Sequence, residues 1–176
     1  MFQFERVYER AADNYGLITT EAAAELNVHR KELLYWTKIG RLERCGRGVY
    51  RINHYIPTDY DKYAEAVALV GGRAALYGET VLAMHNLALV NPPAITVATE
   101  KRLRKTLPRW IQVVKMPPDM REDDFNGIPC QNFVDAIRTC KGEVMNDRLL
   151  DAVHEGVRKG LLVEKDATEL EKELMK

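Results

Sequence analysis

The sequence has few cysteines, no long apolar run and no net charge. Its three cysteines, Cys45, Cys130 and Cys140, stand far apart and form no CxxC pair. An odd count at such spacing argues against a disulfide framework and a thiolate zinc site, and it suits a reducing cytoplasm. No apolar stretch approaches the roughly 20 residues that span a bilayer, so no membrane partner is expected. The opening MFQFERVYER interleaves acids with apolar residues and lacks a secretory core. There is neither a P-loop nor a GxGxxG. His29, His54, His85 and His154 show no metal-ligand spacing. A nuclease of the D…[D/E]xK type needs an acid two residues before a lysine, and Glu100 and Lys101 are adjacent. The expectation is a protein that is not an enzyme and needs no metal or cofactor.

What is present is globular. Of 176 residues, 46% are hydrophobic and 30% charged, which suits one domain or two small ones. The zero net charge hides a gradient. Between residues 28 and 55 seven bases face two acids, a local +5 that the rest of the chain balances with −5. Asymmetry of this kind points to an anionic partner for one part.

Periodicity places the elements. Phe4, Val7, Tyr8, Ala11, Ala12 and Tyr15 recur at helical spacing over 4–15, with Gly16 as the stop. Thr19 or Thr20 can cap a second, alanine-rich helix. Asn27 tolerates the left-handed backbone of a sharp turn. A third helix runs from about His29 to Ile39 and stops at Gly40, with Leu33 and Trp36 on its inner side. Arg41–Cys45 and Val49–Ile52 are short strands joined through Gly46-Arg47-Gly48.

Pro57 marks a linker, so the domain boundary is placed at 53–58. A new helix opens at Thr58, with Tyr60, Ala64, Val67 and Ala68 as its apolar face and Gly71-Gly72 as its end. Residues 79–88 are helical in pattern, 94–99 and 110–115 are strands, and MPPDMREDDFNG is a loop. Asn132, Asn146 and Asp166 each cap a later helix. The stripe of the Asn146 helix is Leu150, Val153, Val157 and Leu161.

The stretch AAAELNVHRKELLYWTKIGRLERCGRGVYRI thus orders helix, turn, helix and hairpin, the pattern of a winged helix-turn-helix. The fold class is α+β: this winged unit over 1–55, then a small mixed α/β domain over 58–176. Arg30, Lys31, Tyr35 and Lys38 form the outer face of the third helix, where arginine and lysine can read guanine and meet phosphates. His29 sits at that helix's N-terminus, which favours a phosphate. Arg44, Arg47 and Arg51 belong to the hairpin, and Arg47 at its tip can lie on the DNA backbone or in a minor groove. Lys101, Arg102, Arg104 and Lys105 make a second acid-free basic run, read equally as phosphate-holding or as solvated loop. The rival to DNA binding is a winged-helix module that docks a protein partner instead.

The same residues resemble the N-terminal domain of the AbiEi antitoxins of type IV toxin–antitoxin systems. That family's pattern of G-x-[FIL]-T, an alanine-rich helix, a basic helix and G-x-[LI]-x-R-x-x-x-G-x-Y is met by Gly16 to Thr19, Gly40, Leu42, Arg44, Gly48 and Tyr50. Downstream, Ala83, His85 and Leu87, the ITVAT strand, and Gly127, Ile128 and Pro129 resemble later family segments. The chain departs at His29, where a serine or small cap is usual, and at Trp36, where leucine is usual. The resemblance implies a repressor that binds double-stranded DNA at inverted repeats upstream of its own operon. It also implies an antitoxin that counters a nucleotidyltransferase-like toxin without a stable complex, in the setting of phage defence.

Overall fold

The computed structural model describes residues 2–176, which divide into two compact units, the first ending at Gly71 and the second spanning Gly72–Lys176. Both mix helix and sheet, giving the α+β class expected.

The first unit begins with α1 (Gln3–Ala12), which buries Val7 and Ala11. It ends earlier than its periodicity suggests. Tyr15 and Gly16 both turn left-handed, and the Gly16 N–H returns to the Ala11 carbonyl at 2.8 Å. The next three residues form a strand, β1 (Leu17–Thr19), which the sequence reading did not separate from the following cap. Thr19 then caps α2 (Thr20–Glu25), its hydroxyl accepting the Ala22 N–H at 3.1 Å. Asn27 takes the left-handed turn at φ 56°, as expected of it. Helix α3 (Arg30–Lys38) follows, with Leu33 and Trp36 buried and Gly40 left-handed beyond its end. Trp36 meets Phe4 of α1 edge-on at 5.1 Å between centroids. Burial of side chains of this size contributes about 1.5–3 kcal/mol each.

Strands β2 (Leu42–Gly46) and β3 (Val49–Ile52) form the hairpin. The sheet order is β1-β3-β2, all antiparallel. Alternation along β3 sends Tyr50 and Ile52 into the core made with α1, α2 and α3. Arg51 takes the opposite face.

That opposite face is covered by α4 (Asp61–Val70), which packs on β1 and β2. Thr58 donates to Asp61 Oδ1 at 2.6 Å just ahead of it, and Gly71 ends it at φ 71°. The boundary therefore falls after α4, later than the 53–58 expected. Its apolar face also differs from the stripe expected. Ala64 is shared, but Leu69 and Val70 are buried where Val67 and Ala68 were expected. The linker composition around Pro57 marks a real loop, but the helix beyond it folds back onto the hairpin sheet.

The second unit holds a five-stranded mixed sheet ordered β6-β5-β4-β8-β7. Its strands are β4 (Ala74–Leu76), β5 (Ile95–Thr99), β6 (Ile111–Lys115), β7 (Glu122–Phe125) and β8 (Ile128–Gln131). Strand β7 corrects the loop expected there. Its acidic EDDF sequence has poor strand propensity. Pairing with β8 overrides this through a tight turn at Asn126-Gly127, both at positive φ. Four helices complete the unit: α5 (Glu79–Met84), α6 (Phe133–Thr139), α7 (Asn146–Arg158) and α8 (Glu164–Leu174). Asn132 caps α6 as expected, accepting the Val134 N–H at 3.2 Å. Asn146 does not cap α7; its amide donates to the Leu174 carbonyl at 2.8 Å and joins α7 to α8. Asp166 lies inside the first turn of α8 instead of capping it. The buried stripe of α7 is Leu149, Ala152, Val153 and Gly156, rotated from the one expected. Gly156 sets that rotation, because a Cβ there would come 2.5 Å from Leu162 and 2.7 Å from Phe133.

His85 follows α5, only 8% exposed, with the rings of Phe125 and Phe133 at 4.5 and 5.6 Å between centroids. Burial, helped by the Lys159 charge, lowers its pKa from 6.5 to about 4. The unfolded chain therefore takes up a proton at this histidine before the folded one does. Stability supplied by the neutral ring is complete above pH 6.5 and is lost as pH falls toward about 4, by up to about 3 kcal/mol. Denaturant midpoints at pH 7 and pH 4.5 measure this loss. His85→Gln should remove most of the difference, and an unchanged pH slope in that variant would show that other groups control it.

Candidate nucleic-acid interface

The exposed side of α3 is built by helical spacing. Leu33 and Trp36 commit one side to the core, which leaves Arg30, Lys31, Tyr35 and Lys38 on the other, all exposed. Arg30, Lys31 and Lys38 make no ion pair among the described residues. Their charges are therefore available to an anion without first breaking an internal contact. His29 is the N-cap residue, exposed, and its side chain makes no capping hydrogen bond.

The sequence reading missed Leu34. It is 44% exposed and lies between Arg30 and Lys38 on the same face. Tyr35 and Ile39 are 55% and 46% exposed. The signal was available: Leu34 stands four residues from both Arg30 and Lys38, so it shares their face whenever Leu33 points inward.

On the hairpin, Arg47 is exposed at the tip between Gly46 and Gly48. Arg44 is exposed too, its Nε donating to the Gly46 carbonyl at 3.2 Å. Arg51 is separated from these. Its Nη1 lies 3.0 Å from Glu65 Oε2 of α4, and its side chain is 22% exposed. Its Nε and Nη2 are buried with no partner among the described residues. The cause is strand alternation, which turns residue 51 toward α4. Arg51 is thus an internal ion-pair residue, unlike the surface arginines with which the sequence grouped it. Arg41 is also engaged, its guanidinium 4.8 Å above the Phe4 ring.

Lys101, Arg102, Arg104 and Lys105 belong to the second unit, on the loop between β5 and β6. The first three are exposed and Lys105 is half-buried. Lys101 and Arg102 line a cavity of about 350 Å³ with Lys115 and Val113. Glu100, the nearest acid, is paired with Arg73. The acids after β6 serve locally. Asp124 accepts the Gly127 N–H at 2.7 Å, and Asp123 accepts from the Asn132 amide at 2.9 Å.

None of the three thiols is activated. Burial raises Cys45 to about 11 against the opposing pull of Arg51, and it raises Cys130 and Cys140 to about 12. A thiol in this state holds little thiolate near neutrality. Native protein should therefore react slowly with a disulfide reagent at pH 8, while denatured protein should release three equivalents at once. Rapid labelling of Cys45 in the native state would contradict its burial.

Comparison with known proteins bears on this segment. Residues 5–53 match the family model described as transcriptional regulator, AbiEi antitoxin. Separately, 75 residues covering 39% of the chain are 37% identical to elongation factor 2 of the archaeon Methanosphaera stadtmanae. The chain spans about a tenth of that relative's length, 10%. The family match runs from Glu5 within α1 through β3, including the exposed face of α3 and the hairpin tip. Residues 5–53 are thus similar to the AbiEi antitoxin transcriptional regulators.

Proposed function

We propose that the protein is a DNA-binding transcriptional repressor and antitoxin that regulates its own toxin–antitoxin operon. One observation carries this reading. The segment that matches a family model described as a transcriptional regulator is the segment that exposes Arg30, Lys31 and Lys38 without internal partners among the described residues. In this reading residues 1–71 are a winged helix-turn-helix unit with α4 added, and α3 enters the major groove. Arg30, Lys31 and Lys38 meet guanine edges and phosphates, and Tyr35 borders them. His29 and the free N–H groups opening α3 receive a phosphate. Arg44 and Arg47 hold the DNA backbone from the hairpin. Leu34, apolar at the centre of a basic face, meets a thymine methyl group. The binding site is an inverted repeat upstream of the operon. The second unit carries the antitoxin activity against a nucleotidyltransferase-like toxin, without a stable complex, and Lys101, Arg102, Arg104 and Lys105 extend the phosphate contact. The work is done in the cytoplasm, in the setting of phage defence, and needs no catalysis.

A second reading has its own support. Leu34, Tyr35 and Ile39 together give α3 an apolar component that a protein partner could cover. The two readings differ in salt dependence. Phosphate contacts release counterions and lose affinity steeply with salt, whereas an apolar protein contact changes little.

Arg30→Ala/Lys31→Ala should weaken binding to the upstream DNA by about 1–3 kcal/mol in a salt-titrated anisotropy assay. Unchanged affinity in that double variant would remove α3 as the reading helix and favour the protein-docking role. The thymine contact makes a separate prediction. Upstream DNA synthesised with deoxyuridine in place of thymidine lacks every major-groove methyl. It should bind the wild-type protein several-fold more weakly, by about 1 kcal/mol. It should bind Leu34→Ala no more weakly than natural DNA does. Equal sensitivity in both proteins would locate the methyl contact elsewhere.

A further inference from the structure

We infer that Arg51 and Glu65 are positioning residues for DNA binding, forming with Leu69 a brace through which α4 sets the position of the hairpin tip. The inference rests on the reading above, in which α3 enters the groove and Arg47 holds the backbone.

The hairpin is fixed on two sides. On the side of the reading helices, the Gly48 carbonyl accepts both the Thr20 N–H at 2.9 Å and the Thr20 hydroxyl at 3.1 Å. This ties the turn to the first residue of α2. A Cβ on Gly48 would come 2.6 Å from that hydroxyl, at φ 76°, so the tie needs glycine there. On the other side stands α4. Leu69 reaches so far over β2 that a Cβ on Gly46 would come 2.4 Å from it. Two residues along β3 from Val49, the cross-strand partner of Gly46, Arg51 Nη1 meets Glu65 Oε2 at 3.0 Å. Gly46 and Gly48 flank Arg47, so the residue proposed to hold phosphate stands between the two attachments.

The chemistry of the pair also points to positioning. A buried ion pair with good geometry on every donor can offset its desolvation. Here the Arg51 fork meets Glu65 with one arm, and Nε and Nη2 are buried without a partner among the described residues. An apolar pair of similar volume would serve stability as well or better. What an apolar pair lacks is direction. It can slide along the helix, whereas a carboxylate engaging one guanidinium nitrogen fixes β3 along α4. Arg51 and Glu65 are therefore placed to hold the hairpin in register with α3, so that Arg47 and α3 reach one DNA segment together.

The test uses the full chain and a double-mutant comparison. Arg51→Met/Glu65→Met removes the directional tie and keeps the packing, so the thermal midpoint should hold. In wild type, Arg47→Ala should lower the slope of log affinity against log salt by about one on the upstream DNA. In the Met/Met background the same substitution should change the slope little, because the tip no longer reaches phosphate. Hydrogen exchange at the amides of residues 44–50 should quicken at least several-fold, while exchange in α3 stays the same. Arg51→Lys, which keeps a charge for Glu65, should restore the Arg47 effect in part or whole, and Glu65→Gln, which removes the carboxylate, replaces the Met/Met variant if that variant loses its thermal transition. An undiminished Arg47 effect in the Met/Met or Gln background overturns the inference, even if the hairpin amides exchange faster. If Arg30→Ala/Lys31→Ala in wild type leaves DNA affinity unchanged, the reading beneath it fails and the inference falls with it. Loss of affinity in that control with an additive Arg47 effect sinks the brace alone.

Discussion

Strand β3 has partners along both edges and on both faces, and the first unit is organised around that arrangement. Its edges are bonded to β1 and β2. Tyr50 and Ile52 enter the core shared with α1, α2 and α3, while Arg51 turns toward α4. Four residues thus tie together every element from Gln3 to Val70. Pleat alternation makes this possible, since a one-residue slip would exchange the two faces and bury Arg51 among the helices. Register is therefore specified by the cost of a misplaced guanidinium as well as by burial of Tyr50.

The same alternation sorts the basic residues. A count along the chain treats seven bases between residues 28 and 55 as one positive patch. The fold divides them. Arg41 stacks over Phe4 while staying exposed, whereas Arg51 is held against Glu65. Arg30, Lys31, Lys38, Arg44 and Arg47 remain exposed. The charge available to an anionic partner is smaller than the composition suggests, and it is concentrated on one helix face and one hairpin tip. A face that mixes Leu34 and Tyr35 with these bases suits base edges and methyl groups as well as phosphate.

Much of the first unit is legible because its signals are local. Thr19 caps through its own hydroxyl, Asn27 turns because its side chain tolerates positive φ, and Leu33 with Trp36 sets the inner side of α3 by spacing alone. In the second unit the local signals compete with distant ones. Asn132 caps α6, but Asn146 is drawn away by the carbonyl of Leu174, 28 residues later. The acidic β7 is a strand only because β8 supplies its ladder across the Asn126-Gly127 turn. The α7 stripe rotates because Gly156 admits Leu162 and Phe133. Of the candidate site, the outer face of α3 and the hairpin tip were legible, and so was Leu34, since an inward Leu33 and Trp36 already place it beside Arg30 and Lys38.

The sequence by itself determined the helix-turn-helix order, the caps and turns within it, the glycines of the hairpin and the concentration of basic residues there. Each depends on interactions within a few positions, which propensity and spacing record. Tertiary structure alone decided that α4 belongs to the first unit, that Leu17–Thr19 becomes a strand, that Arg51 is an internal ion-pair residue and that β7 exists. Each of these depends on a partner distant along the chain, and a linear pattern does not reveal which face of a strand or helix that partner will cover.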